Sequence, residues 1–285
     1  MTTLRDLIDL VRAPAALSVP GDVVAGAAAG GALGRRTIGL ACSSVLLYWA
    51  GMAANDWADR HLDAVERPER PIPSGRVSAG AALGTAAGLT AAGLAAAGLA
   101  GGRSALAVAA PLAGAIWAYD VAAKGTPAGP LTMALCRGLD VLLGATGGSR
   151  TAALPSALTI AAHTYLLTAL SHAEVSGADP RLPAATLAGT VTLAAVTARG
   201  TAGGAGGAAQ PALAGVYAAQ FGVPQARAVA DPSARRVRDA VSAGIVSLPA
   251  LQGALAARGG APRLGLALAA AMPLARRLVR KVSAT

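Results

Sequence analysis

The stretch Asn55-Asp56-Trp57-Ala58-Asp59-Arg60-His61-Leu62-Asp63 puts an amide and three carboxylates into a single helical phase. Residues 55, 56, 59 and 63 recur at spacings of three, four and seven, so on a helix they share one face. They fall at the end of an apolar run, where the helix dipole is negative. Like charges so placed repel by about a few tenths of a kcal/mol per pair in water and by more beside hydrocarbon. A cation among them removes that cost. Oxygen-only ligands suit Mg²⁺, which binds through one or two carboxylates plus substrate phosphates and keeps several waters. The plainer alternative is a solvated helix end paired with Arg60, Arg67 and Arg70.

The elements that must position these residues are membrane helices. The chain has 285 residues, 54% of them apolar and only 13% charged, with a mean hydropathy of +0.53. This excludes a disordered chain, a collagen and an ordinary soluble domain. Apolar runs fall at 15–34, 38–57, 79–101, 104–121, 129–149, 152–171, 182–198, 206–222, 240–257 and 262–279. The expected fold is all-α and polytopic, about nine transmembrane helices around a central cavity, with the last run a tenth span or a surface helix. Residues 1–285 read as one domain. The Gly-rich segment 199–207 reads as a flexible connection. Gly26 with Gly30, and Gly88 with Ala92, have small-xxx-small spacing that permits close helix packing. Cys42 and Cys136 read as small packing residues, neither disulfide nor metal pair.

The formal charge is +10. In so apolar a chain this reads as arginine in loops beside anionic lipid, and nucleic acid is not an expected partner. With the N-terminus inside, the inner connections carry twelve basic residues and the outer ones seven. That bias predicts multi-pass insertion in the cell inner membrane with the 55–63 face towards the cytoplasm, although Arg35-Arg36 opposes it. Of the fourteen acids, thirteen lie in inner loops or at inner helix ends, and Asp140 alone is mid-span.

Asn55-Asp56-x-x-Asp59-x-x-x-Asp63, followed by Arg67, Arg70-Pro71 and Ser74-Gly75, closely resembles the first aspartate-rich motif of the UbiA superfamily of intramembrane prenyltransferases. Tyr119 and Lys124 resemble that family's tyrosine-to-lysine stretch at the end of its fourth helix. Cys136-Arg137-Gly138-Leu139-Asp140 with Leu142-Leu143-Gly144 is similar to the EboC-like bacterial branch, where asparagine usually stands at the place of Asp140. The resemblance implies a bundle capped on the cytoplasmic side, Mg²⁺ held by two aspartate-rich motifs, and a prenyl diphosphate gripped by the metal. Loss of diphosphate then yields an allylic cation that an electron-rich acceptor captures. Metals and cations neutralise the leaving group, and an apolar cavity shields the cation from water.

The family's second motif, roughly D-x-x-D-x-x-G-D, is altered here. Ser171 replaces the first aspartate, Glu174 the second, Gly177 is kept, and Ala178 takes the last place with Asp179 one position late. The resemblance therefore implies metal ligation by Asn55, Asp56, Asp59 and Asp63, with Glu174 and Asp179 for a second ion. It implies diphosphate contacts from Arg67, Arg70, Lys124 and Arg137, with Tyr119 beside them. Asp56, Asp59, Glu174 and Asp140 are the candidate catalytic carboxylates. Asp140 would orient the acceptor, take its proton, or pair with Arg137; Arg137 alternatively pairs with Asp120 or Asp140. Asp22 reads as the cap of a helix starting after Pro20-Gly21, His163 as packing, and His172 as a polar helix end. The expected function is Mg-dependent prenyl transfer from a polyprenyl diphosphate to a lipophilic or small polar acceptor, itself unidentified. The rivals are a terpene cyclase on the same fold, needing no acceptor, and a non-catalytic transporter or scaffold. One-sided acids oppose the latter, since a permeation path carries charge through the bundle.

Overall fold

The protein is seen in a computed structural model that describes residues 3–12, 16, 18–199 and 207–271. The 200–206 part of the Gly-rich connection and the basic residues beyond 275 lie outside the described residues. All regular elements among the described residues are helices: α1 (Leu4–Leu10), α2 (Val19–Ala29), α3 (Arg35–Glu66), α4 (Ala79–Ala118), α5 (Gly129–Gly144), α6 (Arg150–Ser171), α7 (Arg181–Ala198), α8 (Ala209–Ala230) and α9 (Ala234–Arg258). An apolar α10 (Pro262–Ala271) follows. A π-helical turn, Tyr119–Ala123, extends α4, and a 3₁₀ turn, Ala145–Gly147, ends α5.

The chain is an all-α membrane protein. Four helical stretches are long and apolar enough to cross a bilayer by themselves: Arg35–Glu66, Ala79–Ala123, Arg150–Ser171 and Ala234–Arg258. The others fall short for local reasons. Helix α2 has 11 residues and α5 has 16, against the ~20 that a perpendicular span needs. Threonines dilute α7 and glutamines α8.

Helix α4 holds two of the expected runs. At Gly102 φ is +63° and ψ −151°, a conformation glycine adopts without the Cβ penalty. The chain doubles back there. Trp117 Nε1 donates to Thr90 Oγ1 at 3.0 Å across the hairpin, and an added Cβ at Gly98 would touch Leu106. Both limbs lie along α3. Ser43 Oγ donates to the Gly93 carbonyl at 2.7 Å on one limb, and Gly51 abuts Ile116 on the other.

Without water inside a bilayer, helices associate by close packing more than by the hydrophobic effect. The α2–α5 contact shows this. A Cβ at Gly26 would collide with the Val141 carbonyl, and one at Gly144 with the Val23 carbonyl. The Gly26/Gly30 expectation therefore holds, whereas Gly88 has open space beside it and the α4 contact runs through Gly93 instead. Around this seam two apolar clusters form. One joins α2 to α5 through Val23, Leu40, Leu47, Leu112 and Leu143. The other joins α2 and α5 to α6–α9 through Val141, Ile160, Tyr217, Phe221 and Leu251. Cys136 is buried and Cys42 exposed, both as free thiols.

Helix α3 stays helical as far as Glu66, so Asn55, Asp56, Asp59 and Asp63 share one helix as their spacing predicts, although the apolar run ends at 57. It ends at Arg67 (φ −146°, ψ 62°), the residue before Pro68, where the α conformation is disfavoured. Likewise α8 continues through Pro224 to Ala230, so the gap between the apolar runs 206–222 and 240–257 shrinks to a connection of 231–233.

Candidate active site

Three pieces of chain meet at the C-terminal end of α3. The first is α1, opened by a capping box: Thr3 Oγ1 accepts from the Asp6 amide at 3.2 Å, and Asp6 Oδ2 accepts from the Thr3 amide at 2.8 Å. The second is the loop 67–78, folded on itself by the Val77 amide donating to the Pro71 carbonyl at 2.9 Å. Leu10, Val77, Ala53, Ala54, Ala82 and Ala86 form one buried cluster under both. Arg76 fastens loop to helix, 3.1 Å from Asp6 and 3.0 Å from Asp9. The third piece is the Tyr119–Ala123 turn. Its Lys124 amide donates to the Tyr119 carbonyl at 3.0 Å, an i→i+5 closure of the kind found at functional sites. It turns Lys124 back over α3.

These pieces surround the motif with cations. Asp56, only 3% exposed, is paired with Arg12 and lies 3.4 Å from Arg70. Asp63 meets Arg70 at 2.5 Å. Asp59 meets Lys124 Nζ at 2.6 Å. Asn55 Nδ2 donates to Asp120 Oδ1 at 3.3 Å, and Asp120 fits where Gly51 lacks a side chain. One face of α3 thus serves two flanks. Asp56 and Asp63 face the α1–loop side, while Asn55 and Asp59 face the π-turn. Arg60 donates to the Trp57 carbonyl and stacks on its ring, and Arg67 is exposed at the helix end. Of the three arginines expected to pair with the motif, only Arg70 does.

Two participants were missed in the sequence. Arg12 reads there only as a topology signal, and no spacing relates it to residue 56. It has φ +45°, which non-glycine residues adopt at a cost, often at functional sites. Asp120 was considered only as a partner for Arg137. Its i, i+4 relation to Lys124 was the available clue.

Residues 171–179 stand apart. Glu174 is half-buried after α6, and its carbonyl accepts from Arg238 at 2.8 Å. Burial pushes the Glu174 carboxyl above its ordinary value, with Arg238 pulling it back. Gly177 (φ +82°) turns the loop, and the Ala178 amide donates to the Pro232 carbonyl at 3.0 Å. Exposed Asp179 accepts from the Arg181 amide at 2.8 Å, a local turn. Among the described residues no contact joins Glu174 or Asp179 to the α3 carboxylates. His172 is exposed, as expected of a polar helix end.

Arg137 pairs with neither Asp120 nor Asp140. Its partner is Asp22, at 2.7 Å, and its guanidinium lies 5.7 Å from the Tyr48 ring. Asp22 is therefore no cap. Helix α2 begins at Val19, and Asp22 is fully buried, accepting from Gln252 Nε2 at 2.7 Å. Asp140, also fully buried, accepts from Ser44 Oγ at 2.5 Å, while its second oxygen has no partner. Nδ1 of His163 is 3.0 Å from the Tyr217 hydroxyl, and its ring packs edge-on against Phe221, a packing role.

Among the described residues no three acid, histidine or cysteine side chains stand close enough to hold a metal ion. The donors are all hard oxygens, and each α3 carboxylate faces a cation that a phosphate also attracts. The set therefore fits Mg²⁺ arriving with a diphosphate better than a closed protein cage.

A family model described as the UbiA prenyltransferase family matches residues 17–177, and the chain belongs to that family. A digeranylgeranylglyceryl phosphate synthase of Methanopyrus kandleri is 37% identical over 158 residues, 52% of this chain and 55% of that protein. One from Natronomonas pharaonis is 40% identical over 85 residues, 29% of this chain and 31% of its own. The bacteriochlorophyll synthase 33 kDa chain of Cereibacter sphaeroides is 50% identical over 40 residues, 14% of this chain and 13% of that one. The chain thus spans from about an eighth to about half the length of these curated relatives. The fold matches a solved digeranylgeranylglyceryl phosphate synthase with a TM-score of 0.69 at 15% identity, over 90% of this chain and 98% of that one. It also matches an apo UbiA homologue from Aeropyrum pernix K1, with a TM-score of 0.63 at 21% identity over 84% and 96% of the two chains.

Proposed function

We propose that this protein is a single-domain intramembrane prenyltransferase that moves a prenyl group from a polyprenyl diphosphate to a lipophilic or small polar acceptor. The observation that carries this reading is the ring of Arg12, Arg70 and Lys124 around Asp56, Asp59, Asp63 and Asp120 at one end of an apolar bundle. Lys124 has three donors, yet its shielded Nζ is ion-paired with Asp59 alone, which leaves donors unused for a phosphate oxygen. Arg70 and Arg12 offer further donors to a second phosphate, with Arg67 at the rim.

Bound Mg²⁺ would supply charge neutralisation on the departing diphosphate. Asn55, Asp56, Asp59 and Asp63 are its proposed ligands, and Glu174 with Asp179 those of a second ion. The protein's own part is to align the diphosphate between the two flanks, to hold the chain in apolar surroundings, and to keep water from the cation. Tyr119 stands beside the diphosphate. Asp140, with one oxygen free, is proposed to orient the acceptor or take its proton. Nine helical segments are proposed to cross the bilayer, with the carboxylate end cytoplasmic in the inner membrane, since twelve basic residues against seven favour it.

The relatives' name, digeranylgeranylglyceryl phosphate synthase, makes a glyceryl phosphate already carrying one geranylgeranyl group the first acceptor to test. The displaced second motif keeps a cyclase reading alive, because Asp179 is occupied in a local turn. One experiment separates the two. Purified protein in nanodiscs receives Mg²⁺ and C10 to C20 prenyl diphosphates, without and then with a cell lipid extract, and products are weighed by mass spectrometry. A prenylated acceptor formed only with the extract is the expected result. A cyclic hydrocarbon or terpene alcohol formed without it would establish the cyclase.

A further inference from the structure

The end of the bundle opposite the carboxylates carries a different chemistry. The turns there meet: the Ser149 amide donates to the Gly30 carbonyl at 2.9 Å, Ser104 Oγ to the Thr146 carbonyl at 3.2 Å, and Gly259 lies against Ala28. Arg35 and Arg36 open α3 at this end. Arg103 follows the Gly102 bend, Arg150 opens α6, Arg199 closes α7, Arg258 closes α9, and Arg263 lies in the first turn of α10. All seven are exposed. Among the described residues no carboxylate stands at this end and no ion pair reaches any of them. At the other end Arg12, Arg70, Arg76, Lys124 and Arg236 have carboxylate partners, and the exposed Arg5, Arg181 and Arg227, which have none among the described residues, stand in sequence beside Asp6, Asp179 and Asp231.

We propose that this acid-free face is a docking surface for anionic phospholipid headgroups in the leaflet that surrounds it. Every basic group on it is arginine, whose planar fork takes a phosphate through two parallel hydrogen bonds. A cleft of about 150 Å³ opens beside one of them, Arg258, and is lined also by Ser156, Pro155, Leu255 and Ala29. Ser156 is only 5% exposed. A cation and a buried hydroxyl beside an apolar wall suit a phosphodiester with its glycerol and the start of an acyl chain. Free phosphate uses the cation and leaves the apolar wall uncovered. The arginines stand at helix ends around an embedded bundle, where headgroups lie.

The test is native mass spectrometry of detergent-solubilised full-length protein titrated with phosphatidylglycerol or phosphatidylcholine. Wild type is expected to retain phosphatidylglycerol preferentially, and added salt to erode the preference. The triple variant Arg103→Gln/Arg150→Gln/Arg258→Gln is expected to bind phosphatidylglycerol about a hundredfold more weakly, at about fivefold per arginine. Arg5→Gln/Arg181→Gln/Arg227→Gln, an equal charge change at the other end, is expected to bind like wild type. If the triple variant does not fold, Arg258→Gln alone carries the test, with an expected loss of about fivefold and only partial recovery in Arg258→Lys, which restores the charge without the fork. Equal retention of both lipids by wild type, or equal losses from changes at either end, overturns the proposal. So does inorganic phosphate competing better than chloride at matched ionic strength, which would make the ligand a free anion. Diphosphate release is read separately, so failure here leaves the prenyltransferase reading standing.

Discussion

Asp59 and Lys124 form the contact on which the site turns, because the lysine belongs to a π-turn and the aspartate to α3. Asp120, on the same π-turn, is bonded to Asn55. If this flank aligns the diphosphate, Asp120→Asn removes a carboxylate while keeping the Asn55 contact. Diphosphate release is then expected to fall about tenfold or more, with helix content unchanged by circular dichroism. Away from this site, Glu174 supplies a titration. Its carboxyl is raised by burial, so the folded chain holds that proton more tightly than the unfolded one. Its contribution to stability is complete below the ordinary glutamate value near 4.5 and is lost as pH rises through the raised one. Thermal midpoints of wild type and Glu174→Gln, compared from pH 4 upwards, are expected to diverge, with the wild type losing ground. The motif at 55–63 was legible because three acids at helical spacing beside hydrocarbon have few uses. Arg12 was not, since its role depends on a positive φ and a contact 44 residues distant.

At the level of elements, α1 and the loop 67–78 act as a clasp over the end of α3. Arg76 links them through Asp6 and Asp9. The Thr3 hydroxyl and amide, with Arg76, hold the Asp6 carboxyl below its usual value of 3.8. A lowered carboxyl contributes stability above the unfolded value, and that contribution is lost as pH falls through the folded one. Protease cleavage within the first twelve residues is therefore expected to accelerate below about pH 4, and Asp6→Asn to show that faster cleavage at neutral pH. Neither the capping box nor the loop's fold was read from the sequence, although Thr3-x-x-Asp6 carries a capping signal of acidic type. Hydrophobic runs located the long helices well. Their ends were less legible, because α3 and α8 continue helical through charged and proline-bearing turns that hydropathy assigns to loops.

For the whole molecule, polarity along the bundle axis separates two jobs. The carboxylate end gathers anions and cations into pairs, the opposite end presents arginine alone, and the middle holds, besides the buried Asp140, a buried charged group. That group, Asp22 with Arg137 and Gln252, ties α2, α5 and α9 together. Removing one partner of a buried pair leaves an uncompensated charge, at about 3–5 kcal/mol. Asp22→Ala is accordingly expected to lower the thermal midpoint sharply, and the double change Asp22→Asn/Arg137→Gln to recover part of it. A like loss in both variants would show that the pair's charge is not what stabilises this seam. The sequence signalled that Arg137 needs a partner but offered Asp120 and Asp140. Choosing Asp22 requires the α2–α5 approach at Gly26 and Gly144, which only packing decides.

The central claim is that the α3 carboxylates and their encircling cations release diphosphate from a prenyl substrate. The direct measurement is the rate of diphosphate release from a prenyl diphosphate, with Mg²⁺ and lipid extract present, for wild type, Asp56→Ala and Asp59→Ala in nanodiscs. A drop of about a hundredfold or more in both variants, with folding retained, is the predicted result. Wild-type rates in both would contradict it.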